Sequence, residues 1–158
     1  MSVAMLMRLT GGMNTMVFRR MLLAVAVVGC LVAGGCNKGE RCKVSIGDAR
    51  FHIEPDNAAY GNLNNVGGYE YFEGGHRGVI VVRMGLYDFV AYERTCPEDN
   101  TTKVVVSEDW GSTVLECPVC GSRFNAYGNG EPLTGSATSC CLYQYYCHYD
   151  GRTLYVSN

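Results

Sequence analysis

Cysteine and proline occur together in two short segments of this chain, Thr95-Cys96-Pro97-Glu98 and Cys117-Pro118-Val119-Cys120-Gly121. Two cysteines separated by two residues can turn both sulfurs toward one ion, and a glycine after the second cysteine lets the turn close without a Cβ clash. Turns of this kind usually come in pairs. The first segment offers the other half, a further thiol and a carboxylate two residues on, so the two segments together predict a metal site.

Short apolar or alternating runs lie on both sides of these segments, with Gly, Asn and Asp clusters between them. Runs of this length and period are typical of β-strands, and no long helical periodicity follows residue 43. The expected strands are 50–53, 69–72, 78–84, 89–92, 103–106, 113–116, 122–127, 142–148 and 153–156. The third and fourth runs are close enough to pair as a hairpin. Residues 57–68 are rich in Asn and Gly and are expected to form a long loop. The pattern favours an all-β fold, a small sandwich or barrel.

Beyond the second cysteine segment the chain reads Gly121-Ser122-Arg123-Phe124, then Gly130-Glu131-Pro132-Leu133-Thr134-Gly135-Ser136-Ala137, before two closing strand-like runs. Together with the two cysteine loops, this order resembles the Rieske-type iron–sulfur domain over residues 78–158. It is particularly similar to Rieske-like lipoproteins of bacteria. The resemblance implies an antiparallel β-sandwich with a small two-loop metal-binding subdomain.

Members of that family bind a [2Fe–2S] cluster through C-x-H in one loop and C-x-x-H in the other, with the two cysteines on one iron. Carried over by position, the ligand set is Cys96, Glu98, Cys117 and Cys120, and none of the three histidines of the chain falls in either loop. A cluster with these ligands would have a lower reduction potential than one with two neutral imidazoles, because the ligands carry more negative charge. Two alternatives stay open: the same ligands could hold Zn²⁺, or the cysteines could form disulfides and leave no metal.

Apart from Cys30 and Cys36 near the amino terminus, four further cysteines lie outside the two segments, at Cys42, Cys140, Cys141 and Cys147. Cys140, Cys141 and Cys147 fall in the region of the closing strands. Neighbouring strand residues point to opposite faces, so at most one of the adjacent pair Cys140 and Cys141 would face the core. We expect buried free thiols or one disulfide among the four.

The amino-terminal end has the features of an export signal. Arg19-Arg20 precedes the apolar run Met21–Ala33, which is shorter than the about twenty residues that a membrane-spanning helix needs. The next residues, Gly34-Gly35-Cys36, resemble the lipobox of bacterial lipoproteins, in which the signal is cut before the cysteine and the cysteine carries acyl chains. Cys30 also fits this pattern, and an ordinary secretory signal is the simpler alternative.

This interpretation divides the chain into three parts. Residues 1–35 are expected to be a lipoprotein signal peptide, with Met16 as an alternative start. Residues 36–48 form a tether that begins at lipidated Cys36, and residues 49–158 form the Rieske-like domain. The location that follows is the bacterial cell envelope, on the extracytoplasmic side, with the membrane as a partner through the lipid anchor.

Composition and motifs also narrow the function. The formal net charge is −2 and no basic stripe is interleaved with aromatic residues, which argues against nucleic-acid binding. No Ser-His-Asp set, phosphate loop or pair of acid and base carboxylates is evident, which favours an electron-transfer or binding domain over a stand-alone enzyme. We therefore expect a one-electron carrier that exchanges electrons with an envelope redox protein. The alternatives are a clusterless fold acting as a binding or structural module, and, less favoured, a thiol oxidoreductase, because no helix pattern follows Cys120.

Overall fold

The computed structural model describes Cys42 and residues 44–158. The expected signal peptide, its Met16 and Cys30 alternatives, the lipidation site Cys36 and most of the tether lie outside the described residues. The described part contains ten short strands and one 3₁₀ helix, Ala58–Asn64. The strands are β1 (Phe51–Ile53), β2 (Tyr69–Phe72), β3 (Val79–Arg83), β4 (Phe89–Glu93), β5 (Val105–Ser107), β6 (Gly111–Glu116), β7 (Arg123–Asn125), β8 (Glu131–Pro132), β9 (Gln144–Tyr149) and β10 (Leu154–Ser157).

The strands form two antiparallel sheets. The larger sheet has the order β1-β10-β9-β4-β3-β2, and the smaller one has the order β5-β6-β7-β8. The predicted all-β class is confirmed, and so is the hairpin of β3 and β4, in which Val81 lies opposite Ala91. The expected loop 57–68 contains the 3₁₀ helix, because the Asn57 side chain accepts a hydrogen bond from the Ala59 N–H and caps its first turn.

The hairpin of β3 and β4 is buried on both faces, so it separates two apolar clusters. Alternate residues face each cluster, as the two-residue period of a strand requires. Val79, Val81 and Ala91 belong to the cluster that β1, β9 and β10 cover. Ile80 and Tyr92 belong to the other cluster, which the smaller sheet covers with the residues Leu115, Phe124 and Ala126. Two cysteines of the candidate metal site, Cys96 and Cys117, are members of this second cluster.

A disulfide joins Cys42 to Cys140, with 5.5 Å between the two Cα atoms. It therefore links the tether to the segment that leads into β9. Cys141 is disulfide-bonded as well, while Cys147 is a free, half-buried thiol. The expectation that Cys140 and Cys141 lie on a strand is wrong, because β9 begins only at Gln144.

Candidate metal centre

Loop 1 (Cys96–Thr102) follows β4 and holds its first cysteine by backbone hydrogen bonds. The Cys96 N–H donates to the Thr102 carbonyl, and the Asn100 N–H donates to the Cys96 carbonyl, each at 2.9 Å. Asn100 has a φ of +55°, a conformation that Asn tolerates better than most residues. Asp99 closes the loop: it accepts hydrogen bonds from the hydroxyl of Thr102 and from the N–H groups of Thr101 and Thr102. These bonds, led by the one from the Thr102 hydroxyl, lower the pKa of Asp99 to about 2.

Loop 2 (Cys117–Ser122) joins β6 to β7 and is closed in the same way. The Cys117 N–H donates to the Ser122 carbonyl at 2.8 Å, and the Gly121 N–H donates to the Cys117 carbonyl at 2.9 Å. Gly121 has a φ of +69°, which supports the role that the sequence gives to the glycine after the second cysteine. The turn brings Cys120 round to the side on which Cys117 lies.

The two loops bring three sulfurs together. The Sγ atoms of Cys96, Cys117 and Cys120 all lie within 4.8 Å of one another, and those of Cys96 and Cys120 are 3.7 Å apart. Cys96 and Cys117 are fully buried, whereas Cys120 is partly exposed. Three of the four sequence-predicted ligands are therefore adjacent, at the point where the apolar core meets the surface.

Glu98, the fourth predicted ligand, has an exposed side chain and does not join the three sulfurs. Its N–H and that of Asp99 instead hydrogen-bond the Cys96 sulfur. Within the described residues, no histidine nitrogen or carboxylate oxygen belongs to the sulfur group. A ligand role for Glu98 stays a prediction, and it requires the side chain to turn inward.

The three thiols differ in how readily they ionise. Burial raises the pKa of Cys96 to about 12, since the thiolate would lose its hydration. Burial acts in the same direction on Cys120, but hydrogen bonds with Ser122 and with the other two thiols outweigh it and hold the pKa of Cys120 below its usual value. A metal ion binds thiolates and displaces their protons, so it would supply the positive charge that the buried sulfurs need.

The Ser122 hydroxyl contacts the Cys120 sulfur and is itself held by a backbone N–H. Ser122 is fully buried, its Oγ lies 3.2 Å from Cys120 Sγ, and that Oγ accepts the Ala137 N–H at 3.0 Å. We expect Ser122→Ala to weaken metal binding by about tenfold, since groups that orient a ligand contribute on that scale. A competition titration against a chelator measures the change. The matched control is Ser107→Ala, which removes another buried hydroxyl, bonded to Glu116; equal losses in the two variants would argue against an orienting role.

Glu93 anchors loop 1 from its other side and was not evident from the sequence. The side chain is fully buried at the end of β4. One carboxylate oxygen accepts the N–H groups of Arg77 and Thr95 and the Thr95 hydroxyl, at 2.8–3.0 Å. The other accepts the His76 N–H and the Tyr145 hydroxyl, both at 2.7 Å. Burial by itself would raise the pKa of Glu93, but these five hydrogen bonds outweigh it and lower that pKa. The only sequence signal is an acidic residue at the end of an apolar run.

The surface around the sulfurs combines an apolar tip with acidic groups. Val119, at the tip of loop 2, is 74% exposed beside Cys120. A groove of about 270 Å³ opens next to Pro118 and is lined in part by Glu108, Asp109 and Glu116. A partner that approaches Cys120 would meet this apolar tip.

No protein-family model matches the sequence, and no curated protein matches it. Among solved structures, the chain is similar to the ferredoxin of carbazole 1,9a-dioxygenase from Nocardioides aromaticivorans IC177. The two share 21% sequence identity, the match covers 69% of this chain and 95% of the ferredoxin, and the TM-score is 0.47. Identity at this level transfers no cofactor and no residue role. Across Cys42 and residues 44–158, no helix is long and apolar enough to cross a membrane.

Proposed function

We propose that this chain is a membrane-anchored one-electron carrier of the bacterial cell envelope, with a sulfur-ligated iron centre at Cys96, Cys117 and Cys120. The observation that carries the proposal is the convergence of these three thiols from two separate loops within 4.8 Å. Two of them are fully buried, and three cysteine sulfurs held together are a ligand set that zinc and iron accept. Bound iron would supply a single-electron couple.

The position of the centre suits electron transfer. The sulfurs lie at the edge of the core, and Cys120 and the tip of loop 2 reach the surface. A donor or acceptor could therefore approach the centre while the remaining sulfurs stay dry. The acidic border of the groove favours a partner with a basic docking face. We propose an envelope redox protein of that charge as the partner.

The proposed location rests on the cysteines and on the amino-terminal sequence. Disulfides such as Cys42–Cys140 form and persist in oxidising compartments outside the cytoplasm. The lipobox-like sequence ending in Cys36 would attach the domain to the membrane surface. Both features fit an extracytoplasmic domain on a lipid anchor.

The test is metal analysis of the full chain, expressed with its amino-terminal segment and purified anaerobically in detergent. We expect bound iron that accepts one electron per centre, and we expect Cys117→Ser to lower iron content by more than about tenfold, since losing a ligand exceeds the loss of a supporting group. Cys147→Ser is the matched control, because Cys147 is a free thiol in the other apolar cluster.

Two results would contradict the proposal. Zinc as the bound metal, with no reducible iron, would favour a structural or binding module in the envelope, because Zn²⁺ has no redox chemistry. Absence of metal, with the three cysteines oxidised, would point to a metal-free scaffold. Loss of iron in both cysteine variants would mean that the effect is not specific to the site.

A further inference from the structure

The two cysteine loops have the same turn geometry. Each starts with Cys-Pro, and in each the fifth residue has a positive φ and donates its N–H to the carbonyl of the first cysteine at 2.9 Å. These fifth residues are Asn100 in loop 1 and Gly121 in loop 2. In this register, Asp99 of loop 1 stands where loop 2 has Cys120. The structure therefore contains a pair of matching turns in which one of four cysteine positions is an aspartate.

The Asp99 carboxylate does not contact the sulfurs. Both of its carboxylate oxygens accept hydrogen bonds from Thr101 and Thr102 inside loop 1, and no carboxylate oxygen belongs to the sulfur group. The neighbouring Glu98 is exposed. Loop 1 therefore gives the centre one ligand, Cys96, and the described residues offer three sulfurs to it.

The spacing of the sulfurs fits one ion. A tetrahedral ion with metal–sulfur bonds of about 2.3 Å holds its sulfurs about 3.8 Å apart, and the Cys96–Cys120 separation is 3.7 Å. In a Rieske-type cluster these two positions would lie on different irons, and four protein ligands would be needed. Within the described residues, no fourth ligand atom joins the three sulfurs, so the four-ligand requirement of that cluster is not met.

We infer that Cys96, Cys117 and Cys120 bind a single tetrahedral ion. Its fourth coordination position is open to an exogenous ligand, because loop 1 has Asp99 where loop 2 has a cysteine. Protein zinc sites with three protein ligands and an open position bind water or a substrate there, whereas structural sites are closed by four ligands. The chemical class of ligand is a small donor, such as water or an imidazole. This inference rests on the proposed function only in requiring that a metal binds these sulfurs.

Cobalt(II) is the probe, because its visible spectrum reports the number of thiolates and the coordination geometry. The full chain, loaded with Co²⁺ in detergent, should bind one ion per chain without sulfide. Adding imidazole should change its spectrum in a saturable way. Asp99→Cys should complete a four-sulfur site, raise the thiolate-to-cobalt absorption in proportion and abolish the response to imidazole. Its affinity for Co²⁺ should rise by at least about tenfold.

Two control variants make the result specific. Glu98→Cys places a thiol at the exposed neighbouring position and should leave the cobalt spectrum unchanged. Asp99→Asn keeps one accepting oxygen for the N–H groups of Thr101 and Thr102, and it should also leave the spectrum unchanged, because the carboxylate is not a ligand. Far-UV circular dichroism of each variant establishes that it is folded.

The inference is overturned if the chain takes up two irons and two sulfides and loses them in Glu98→Gln, or if Asp99→Asn abolishes cobalt binding. It is also overturned if imidazole leaves the wild-type spectrum unchanged, since the fourth position would then be closed. One zinc per chain, with no reducible iron, would support the single-ion site while contradicting the electron-carrier function. The two proposals can therefore fail separately.

Discussion

Glu93→Gln is expected to lower the free energy of unfolding by about 3 kcal/mol or more. The carboxylate accepts five hydrogen bonds in a fully buried position, two of them from His76 and Tyr145 at 2.7 Å. The glutamine amide has one accepting oxygen, so its NH₂ group would face N–H donors and leave them unpaired. Urea denaturation followed by circular dichroism, with a chelator present to remove metal effects, measures the change.

The same carboxylate makes stability depend on pH. Because hydrogen bonding holds the pKa of Glu93 below its value in the unfolded chain, its contribution is complete above the unfolded-state pKa and is lost as the pH falls through the folded-state pKa. The difference between wild type and Glu93→Gln should therefore shrink on acidification. Glu73→Gln is the control: this exposed side chain should change stability by less than about 0.5 kcal/mol. Equal effects of the two substitutions would contradict the role of Glu93.

Removal of the Cys42–Cys140 disulfide is also expected to lower the free energy of unfolding by a large amount. The bond closes a loop with a sequence separation of 98 residues, and loop-closure entropy for that length corresponds to about 4–5 kcal/mol. The double variant Cys42→Ala with Cys140→Ala should therefore unfold at a clearly lower temperature and urea concentration than the wild type.

Cys147→Ala is the control for loss of a thiol alone, because Cys147 is half-buried and forms no disulfide. Its effect on stability should be small by comparison. Reducing the wild type without mutation should lower stability at least as much, because it also breaks the disulfide of Cys141. An unchanged free energy of unfolding in the double variant would show that the disulfide does not restrict the unfolded chain as proposed.

The strands were predictable because turn residues separate them so clearly. The expected run 69–72 is β2, and the runs 78–84 and 89–92 contain β3 and most of β4. β8 was not predicted. It has only two residues, Glu131 and Pro132, and proline has no N–H to donate to a neighbouring strand. The local pattern of apolar and turn residues therefore predicts most of the strands. A strand as short as β8 depends instead on its pairing with a neighbouring strand.

The site was predictable only where the spacing of residues along the chain carries the information. Cys117 and Cys120 follow from the C-x-x-C spacing, and Cys96 follows from the matching Cys-Pro segment. Glu98 was singled out as a carboxylate two residues after Cys96, and the family resemblance gave it a ligand position, but the structure leaves its side chain outside the sulfur group. The hydrogen bonds of Glu93 and the Cys42–Cys140 disulfide join residues that are distant in sequence. Which distant groups meet cannot be deduced from a single sequence.

The Cys42–Cys140 disulfide also limits how far the domain can stand from the membrane. With the proposed lipid anchor on Cys36, five residues separate the anchor from Cys42 of the disulfide, and a fully extended chain from Cys36 to Cys42 spans about 20 Å. The tether also passes loop 1, because the Ser45 N–H donates to the Asn100 side chain. With the proposed lipid anchor, the oxidised bond would therefore hold the domain, and with it the sulfur centre, close to the membrane surface.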